Sequence, residues 1–166
     1  GDGEYRARIN WMARELRRLG PDIIACMQES GVSVMVAVPQ LMNALRRAIF
    51  EKIDKSPLPL RLLVKLLLGL SSVVRKAFGI NIGKALFGKV HGKFGPRFRL
   101  FASGGARLDP DVFTDMTNLG FTVIEAYGLT ETSPAATFNP VGRQKAGSIG
   151  VPIPDVEVRI SDPDAT

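Results

Sequence analysis

The sequence has almost no cysteine or histidine, the residues that build disulfide frameworks and zinc sites. Its single cysteine, Cys26, cannot form an internal disulfide, and its single histidine, His91, has no Cys, His or acidic residue at ligand spacing. Cys26 lies in the apolar run 23–27, so we expect a small buried residue in a reducing compartment. His91 lies among Lys and Gly, and we expect a surface residue that binds no metal.

Long apolar runs are absent as well. No stretch reaches the roughly 18 uninterrupted apolar residues expected of a membrane-spanning helix. The N-terminal GDGEYRARINW carries charges where an export signal has its apolar core, so we expect a cytoplasmic protein without such a signal. At 166 residues, the chain is long enough for one domain with a core, and short enough to be a piece of a larger protein.

Positive charge is concentrated in the middle of the chain. Residues 43–99 contain thirteen Lys or Arg and only two acids, whereas the whole chain has a net charge of +6. This distribution predicts an anionic partner, such as a membrane surface, a nucleic acid or a charged substrate, and a solvated helical face is the alternative. We expect no nucleic acid, because aromatic residues that could stack on bases are not interleaved with the basic ones.

The first half of the sequence is predicted to be mainly helical. Apolar spacing predicts helices over 5–19, 21–30 and 40–53, and the run 32–38 predicts a buried strand. Leucine-rich residues 56–94 form a basic helical insertion. Within it, the segment 56–78 predicts an amphipathic helix whose basic stripe is formed by Arg61, Lys65, Ser72, Arg75 and Lys76. This segment either packs inside the protein or lies on an anionic membrane surface.

Strands and helices alternate from residue 97 onward. Residues 97–103 and 121–126 predict two strands, joined by a helix over 110–119 that Asp109 caps. This βαβ unit at 97–126 requires parallel strands. The alternation of Val156, Val158 and Ile160 predicts an antiparallel strand or hairpin near the C-terminus. The fold class is therefore α/β: a partial parallel sheet with flanking helices, the helical insertion at 56–94 and a β-hairpin-like C-terminal end.

Two unusual loops follow the two predicted parallel strands, and ligands of open α/β sheets bind outside the carboxyl ends of the strands. The first loop contains Gly104 and Gly105, which let a ligand approach the backbone. In the second, Tyr127 offers a ring for stacking, Thr130 offers a hydroxyl donor and Glu131 can bind Mg²⁺. Together they indicate a nucleotide or phosphate site, although Gly-Gly is often an ordinary turn and Thr-Glu-Thr is often solvated.

The exact string 127–134, YGLTETSP, closely resembles the aromatic-Gly-x-Thr-Glu motif of the AMP-forming acyl-CoA synthetases, members of the adenylate-forming superfamily. The stretch 98–113 resembles the preceding adenine loop, and 145–160 resembles the segment that follows in this family. Residues 85–100 and the basic helical insertion are most similar to the long-chain fatty acid CoA ligases. The resemblance covers 97–164 continuously and 21–53 more loosely.

The resemblance implies ATP-dependent activation of a fatty acid carboxylate to acyl-AMP and then acyl-CoA. Substrates and cofactors would be the fatty acid, ATP (leaving as AMP), Mg²⁺ and coenzyme A. Gly104, Gly105 and Ala106 would frame the adenine, Tyr127 would stack on it, and Leu129 would belong to the same nucleotide-binding loop.

The same resemblance assigns the catalytic roles. Thr130 would bond the phosphate and Glu131 would hold Mg²⁺, while Gly128, Thr132 and Ser133 would lie near the acyl carboxylate.

Several family features have no counterpart in the sequence. It contains no phosphate loop ending in Pro-Lys, no ribose-binding aspartate and no C-terminal domain with a catalytic lysine, and Arg107 stands where many relatives have a small residue. We therefore expect residues 1–166 to be a fragment of the large N-terminal domain, with 97–164 as its AMP-binding part, and to be inactive alone. The alternative is a non-catalytic module that binds a membrane surface or a partner through the basic helical segment.

Overall fold

The computed structural model describes residues 24–132 and 135–160. The helix predicted over 5–19, the beginning of the helix predicted over 21–30, and Ser133 lie outside the described residues. Six helices are described: α1 (24–29), α2 (Pro39–Asp54), α3 (Leu58–Phe78), α4 (Gly83–Leu86), α5 (Gly88–His91) and α6 (Pro110–Asn118). Single 3₁₀ turns occupy Gly92–Phe94 and Thr130–Thr132. The predicted insertion is thus helical, but it breaks into short pieces after α3.

The described strands form one mixed sheet of five strands in the order β1-β2-β3-β4-β5. They are β1 (Val34–Ala37), β2 (Leu100–Ser103), β3 (Thr122–Tyr127), β4 (Thr137–Phe138) and β5 (Val151–Pro152). The first three strands are parallel, and β4 and β5 add antiparallel pairings. The α/β fold class and the parallel pairing across the βαβ unit are confirmed.

The crossover helix α6 begins and ends where the sequence predicts. The Asp109 carboxylate accepts a hydrogen bond from the backbone N–H of Asp111 at 2.8 Å, and Pro110 occupies the first turn. Gly120 follows the helix with φ +96°, a conformation that favours glycine. These caps fix the length of α6, so β3 starts beside β2 in register, with Phe101 opposite Val123.

The core lies on the sheet face that carries Phe101 and Val123. Phe101 is fully buried, and its ring centroid lies 4.7 Å from that of Phe98, 5.6 Å from that of Phe94 and 5.3 Å from that of Phe121. Phe94 and Phe98 come from the end of the insertion and the residues before β2, whereas Phe121 precedes β3. The aromatic cluster therefore joins the insertion to the βαβ unit, since aromatic rings bury large areas.

Polar contacts anchor the insertion to the C-terminal end of α6. Ser71 Oγ donates to the backbone carbonyl of Asn118 at 2.8 Å, and Arg75 Nη2 donates to Asn118 Oδ1 at 3.0 Å. Asn81 Nδ2 donates to Thr117 O at 3.3 Å. Because α6 starts at the carboxyl edge of the strands and ends at their amino edge, these contacts lie at the opposite edge from the two predicted site loops.

Two glycines let the backbones cross at the same place. A Cβ on Gly83 would lie 2.5 Å from the carbonyl oxygen of Asn118, and a Cβ on Gly120 would lie 2.1 Å from the backbone nitrogen of Lys84. Both distances are far inside van der Waals contact. The insertion therefore approaches the turn between α6 and β3 as closely as two backbones permit.

Helix α3 is amphipathic, but the residues of its predicted basic stripe do not all face solvent. Arg75, predicted to belong to that stripe, is half-buried against α6 because its guanidinium pairs with Asn118. Leu62, Leu66 and Leu70 are exposed instead. No helix within residues 24–132 and 135–160 is both long and apolar enough to cross a membrane.

The predicted environments of Cys26 and His91 are wrong. Cys26 is exposed, because its neighbour Met27 takes the inward position on α1. His91 is half-buried: its ring stacks on Phe121 at a centroid distance of 4.2 Å, and its Nε2 lies 2.9 Å from Leu119 O. Burial lowers the pKa of His91, opposed by the hydrogen bond to Leu119 and assisted by the charge of Lys84.

Two strand predictions also need correction. The run 32–38 was predicted to be buried, yet Val36 of β1 is 79% exposed and Val34 is exposed beside it, because only the opposite face of β1 meets the core. Residues 156–160 contain no strand, and the antiparallel C-terminal pairing is formed by β4 and β5 instead. Alternating valines alone do not make a strand when no neighbouring strand is available to accept their hydrogen bonds.

Candidate active site

The loop after β2 leaves the sheet with its first residue still tied to β1. The backbone N–H of Gly104 donates to Ala37 O at 3.3 Å. Gly105 has φ +82°, and a Cβ there would meet nothing within 4 Å. Glycine is therefore required at position 105 by the backbone conformation and not by crowding. Together with the exposed Ala106, this leaves a stretch of open backbone at the carboxyl edge.

The loop after β3 begins at Tyr127, which is 46% exposed. The carbonyl of Tyr127 accepts a hydrogen bond from the N–H of Ala136 at 2.8 Å, which closes the base of the loop. Within the loop, Gly128 is half-buried and Leu129, Thr130 and Glu131 are exposed. Thr132 ends the 3₁₀ turn that begins at Thr130. The loop thus presents a ring, a hydroxyl and a carboxylate to solvent from a closed stem.

The two loops start close together. A Cβ on Gly104 would lie 3.6 Å from the carbonyl oxygen of Ala126, the residue immediately before Tyr127. This proximity follows from the parallel pairing of β2 with β3, which places Ser103 opposite Glu125. The structure therefore brings Gly104 and Tyr127 to one edge, as the sequence predicted.

Ser103 is a candidate site residue that sequence reasoning missed. It is the last residue of β2 and is 2% exposed. Its Oγ is the one buried side-chain polar atom among the described residues that lacks a hydrogen-bond partner. Buried hydroxyls normally have partners, so an orphan directly before the Gly104–Gly105 turn fits a ligand with polar atoms. The only available sequence signal was its position at the end of a strand.

A third segment adjoins both loops. The backbone N–H of Gly147 donates to Glu125 Oε1 at 2.8 Å. Arg107 comes from the other side, since a Cβ on Gly147 would lie 3.2 Å from Arg107 Nη2. Arg107, whose role the sequence left open, therefore packs against residues near the C-terminus, and Glu125 was not singled out at all.

The exposed side chains of the loop after β3 belong to residue types that can contact a nucleotide and its Mg²⁺. The described residues contain no group of three or more His, Cys, Asp or Glu that could hold a metal ion. Mg²⁺, however, usually keeps several waters and binds one or two carboxylates together with substrate phosphates. Glu131 can supply such a carboxylate, Thr130 can donate to a phosphate oxygen, and Tyr127 can stack on a base.

The chain belongs to the AMP-binding enzyme family, whose model matches residues 6–166. The relatives that the chain resembles include acyl-CoA ligases and an acyl-CoA synthetase.

Particular relatives include Long-chain-fatty-acid–CoA ligase 6 of Rattus norvegicus, which is 27% identical over an alignment 168 residues long that covers 95% of this chain. The chain spans 22% of the length of that ligase. A Long-chain-fatty-acid–CoA ligase of Yersinia pestis is 41% identical over 68 residues, or 40% of this chain and 12% of the ligase. Among solved structures, the N-terminal domain of FACL13 from Mycobacterium tuberculosis is 21% identical, with a TM-score of 0.43 over 77% of this chain and 23% of that one.

Proposed function

We propose that this chain is part of a longer ligase that uses ATP to activate a fatty acid carboxylate as acyl-AMP and then transfers the acyl group to coenzyme A. The observation that carries the proposal is the close approach of Gly104 to Ala126, which places two open loops side by side at the carboxyl edge of parallel strands. Membership of the AMP-binding enzyme family supports the nucleotide. Long-chain specificity is supported by the names of relatives about 27% identical and by the basic helical insertion.

The proposed adenine subsite lies between the two loops. Gly104, Gly105 and Ala106 provide backbone without bulky side chains, and Tyr127 provides the stacking surface. Leu129 belongs to the same nucleotide-binding loop.

The proposed reaction centre follows Tyr127 along the chain. The Thr130 hydroxyl donates to the α-phosphate, and the Glu131 carboxylate binds Mg²⁺, which supplies charge neutralisation of the phosphates when bound. Gly128, Thr132 and Ser133 are assigned to the acyl carboxylate by the resemblance of the sequence motif alone. Catalysis is then mainly positioning and stabilisation of the charge that develops at the α-phosphate.

The chemistry takes two steps in this proposal. A carboxylate oxygen of the fatty acid attacks the α-phosphorus of ATP, an acyl–phosphate bond forms, and pyrophosphate leaves. The coenzyme A thiol then loses its proton and attacks the acyl carbonyl, so that a thioester forms and AMP leaves.

The decisive experiment measures fatty-acid-dependent exchange of pyrophosphate into ATP by the full-length protein that contains this chain. We expect exchange with long straight-chain fatty acids and weaker exchange with short ones. Thr130→Ala and Glu131→Gln should each lower the exchange rate by about a hundredfold or more, the range typical for loss of an electrostatic contact made in the transition state. Glu29→Gln is the matched control, because it makes the same substitution at an exposed glutamate of α1. Absence of exchange with every carboxylate tested would refute the proposal.

The isolated 166-residue chain is expected to release no pyrophosphate from ATP and fatty acid. It contains Thr130 and Glu131 but no recognisable phosphate loop, ribose-binding aspartate or catalytic lysine domain. Activity of this chain alone would show that the remaining parts of the relatives are dispensable.

A second candidate function is contact with an anionic membrane surface through α3. Leu62, Leu66 and Leu70 are exposed at helical spacing, and the exposed Lys65 and Lys76 lie beside them. An exposed apolar stripe with adjacent lysines is typical of helices that lie in the bilayer interface.

Co-sedimentation with vesicles that contain phosphatidylserine tests this candidate. We expect Leu66→Asn and the double variant Lys65→Gln/Lys76→Gln to reduce binding, and salt to weaken it. Lys89→Gln/Lys93→Gln is the control for charge alone, because both lysines are exposed but outside α3. Equal losses in both double variants would show nonspecific attraction. Binding by the 166-residue chain but not by the full-length protein would show that other parts of the protein cover α3.

A further inference from the structure

Five basic side chains lie along the amino edge of the parallel strands, opposite the edge that carries the site loops. All five are exposed, and together they are called the amino-edge basic surface: Lys84, Lys89, Lys93, Arg97 and Arg99. Residues 80–99 contain these five bases and no aspartate or glutamate. The surface is therefore positive throughout, whereas the bases at the end of α2 alternate with the exposed Glu51 and Asp54.

Backbone contacts place the two arginines of this surface beside the start of β1. The N–H of Arg99 donates to Ser33 O at 2.8 Å, just before β1 begins. Arg97 Cδ would lie 3.3 Å from a Cβ on Gly31, in the turn between α1 and β1. Because Arg99 also directly precedes β2, both arginines lie at the amino ends of the first two strands.

The lysines extend the surface to the amino end of β3. A Cβ on Gly120, two residues before β3, would lie 2.1 Å from the backbone nitrogen of Lys84. Lys89 lies on α5, and Lys93 lies in the 3₁₀ turn that follows it. The carbonyl of Lys93 accepts a hydrogen bond from Gln28 Nε2 at 2.9 Å, which returns the surface to α1. The five bases thus span the amino ends of all three parallel strands.

Buried aromatic rings fix the backbone that carries these charges. Phe87, Phe94 and Phe98 alternate with the lysines and arginines along the chain and are 7%, 3% and 6% exposed. The rings of Phe94 and Phe98 pack on the fully buried Phe101. Each charged side chain therefore projects from a set position, and a preorganised surface loses less freedom when it binds.

The five side chains have no anionic partner among the residues that the structure describes. Ion pairs are formed there by Arg46 with Asp115 and by Arg159 with Glu157. Glu29, at the end of α1, is exposed and forms no ion pair with the surface. Unpaired charges of one sign attract a partner of the opposite sign.

The surface also presents no large apolar side chain to solvent between residues 84 and 99. Helix α3 and strand β1 differ in this respect, because Leu66 and Val36 are exposed. Permanent interfaces and bilayer interfaces are both contacted through apolar groups. The amino-edge basic surface is therefore suited to a charged, polar partner, and is unlike a face that a longer chain covers with its own core.

Carboxylates are the anions that this surface fits best. Sequence-tolerant binding of nucleic acid uses aromatic rings that stack on bases, and no aromatic side chain between residues 84 and 99 is exposed. Contact with a bilayer uses an apolar face, which lies on α3 and not on this edge. The carboxylates of an acidic polypeptide can pair with exposed Lys and Arg without either requirement.

We propose that the amino-edge basic surface docks an acidic polypeptide, whose carboxylates pair with these lysines and arginines. Docking at this edge leaves the site loops open, because they lie at the carboxyl edge of the same strands. The inference does not depend on the proposed ligase reaction.

The first test measures binding of a fluorescent poly-glutamate peptide to the full-length protein, by anisotropy at low ionic strength. A poly-glutamine peptide of the same length is the uncharged probe. The surface variant carries Lys84→Gln, Lys89→Gln and Lys93→Gln. The control variant removes the same number of exposed charges at the end of α2, and carries Arg47→Gln, Lys52→Gln and Lys55→Gln.

We expect the wild type to bind poly-glutamate and not poly-glutamine, and salt to weaken this binding. The surface variant should raise the Kd about tenfold, as the loss of three exposed ion pairs predicts. The control variant should leave the Kd nearly unchanged, and arginine at all three surface positions should preserve binding. No binding by the wild type, equal losses in the surface and control variants, or a loss with arginine would overturn the proposal.

The second test offers two other polyanions to the same proteins: vesicles that contain phosphatidylserine, and polyuridylate. We expect the surface variant to bind vesicles as the wild type does, because vesicle contact through α3 does not use these lysines. If the surface variant loses binding of vesicles or of polyuridylate by a larger factor than binding of poly-glutamate, the surface takes lipid or nucleic acid and the proposal is wrong.

Pyrophosphate exchange separates this proposal from the proposed function. The surface variant should exchange pyrophosphate at the wild-type rate, because its substitutions lie at the opposite edge from the site loops. A wild-type protein without exchange would refute the proposed function alone, and the Kd values for poly-glutamate would still decide whether this surface docks an acidic polypeptide.

Discussion

Replacing Gly120 by alanine tests how the basic helical insertion is joined to the βαβ unit. A Cβ at this position would lie 2.1 Å from the backbone nitrogen of Lys84, and 2.4 Å from the carbonyl carbon of Gly83. Neither atom belongs to a flexible side chain that could move aside. The insertion must therefore separate from the turn between α6 and β3, or the turn itself must change conformation.

The magnitude has two contributions. Holding alanine at φ +96° costs about 1–2 kcal/mol, because L-residues avoid this region. Separation of the backbones also strains or breaks the hydrogen bonds of Ser71 and Asn81 to the end of α6, each contributing about 1 kcal/mol. The expected loss in free energy of unfolding is about 3–4 kcal/mol, or roughly a 10 °C fall in thermal midpoint for a chain of this size.

Gly142→Ala is the matched control, since its φ is +89° and a Cβ there would meet nothing within 4 Å. It should show only the backbone cost, about 1–2 kcal/mol. Both variants are compared by thermal and guanidinium unfolding followed by circular dichroism. Equal losses in the two variants would refute the reasoning, because they would show that contact with the insertion adds nothing to the cost of the backbone conformation.

Three further predictions concern single side chains. Ser71→Ala should destabilise the protein by about 1–3 kcal/mol, because it leaves the buried carbonyl of Asn118 unpaired. Ser103→Ala should cost almost nothing in the same unfolding assay, because the Ser103 hydroxyl has no hydrogen-bond partner to lose. Asp109→Ala should cost about 1 kcal/mol through loss of the α6 cap, and Asp109→Asn should recover most of it. Burial lowers the folded-state pKa of His91 below the ordinary value of 6.5, so the contribution of neutral His91 to stability is fully present above pH 6.5 and is lost as pH falls below it. The thermal midpoint should therefore fall less on acidification in His91→Gln than in the wild type. Identical pH profiles of the two proteins would contradict this assignment.

Local sequence signals predicted the βαβ unit well. Asp109 and Pro110 define the start of α6, Gly120 defines its end, and a crossover helix of this kind requires parallel strands on either side. These features depend on neighbouring residues along the chain. They are therefore visible in the sequence.

Predictions of burial were weaker, because burial depends on which elements are adjacent in space. Val36 lies in an apolar run typical of a buried strand, yet its side chain is exposed. His91 has Lys and Gly neighbours typical of a surface segment, yet its ring stacks on Phe121. Arg75 fits a solvated stripe by helical spacing, yet its guanidinium reaches Asn118, 43 residues away in sequence. The spacing of residues within one helix cannot predict a hydrogen-bond partner on another helix.

The sequence by itself determined the α/β fold class, the limits of α6 and the position of both site loops, since turn chemistry and strand order are local and the carboxyl ends of parallel strands share an edge. The roles of Gly104, Tyr127, Thr130 and Glu131 in binding a nucleotide stay predictions. Only the tertiary structure revealed the unpaired hydroxyl of Ser103 and the hydrogen bond from Gly147 to Glu125, which links residues 22 positions apart. Whether a buried polar atom has a hydrogen-bond partner depends on groups from distant parts of the chain. Only the folded structure shows which groups these are.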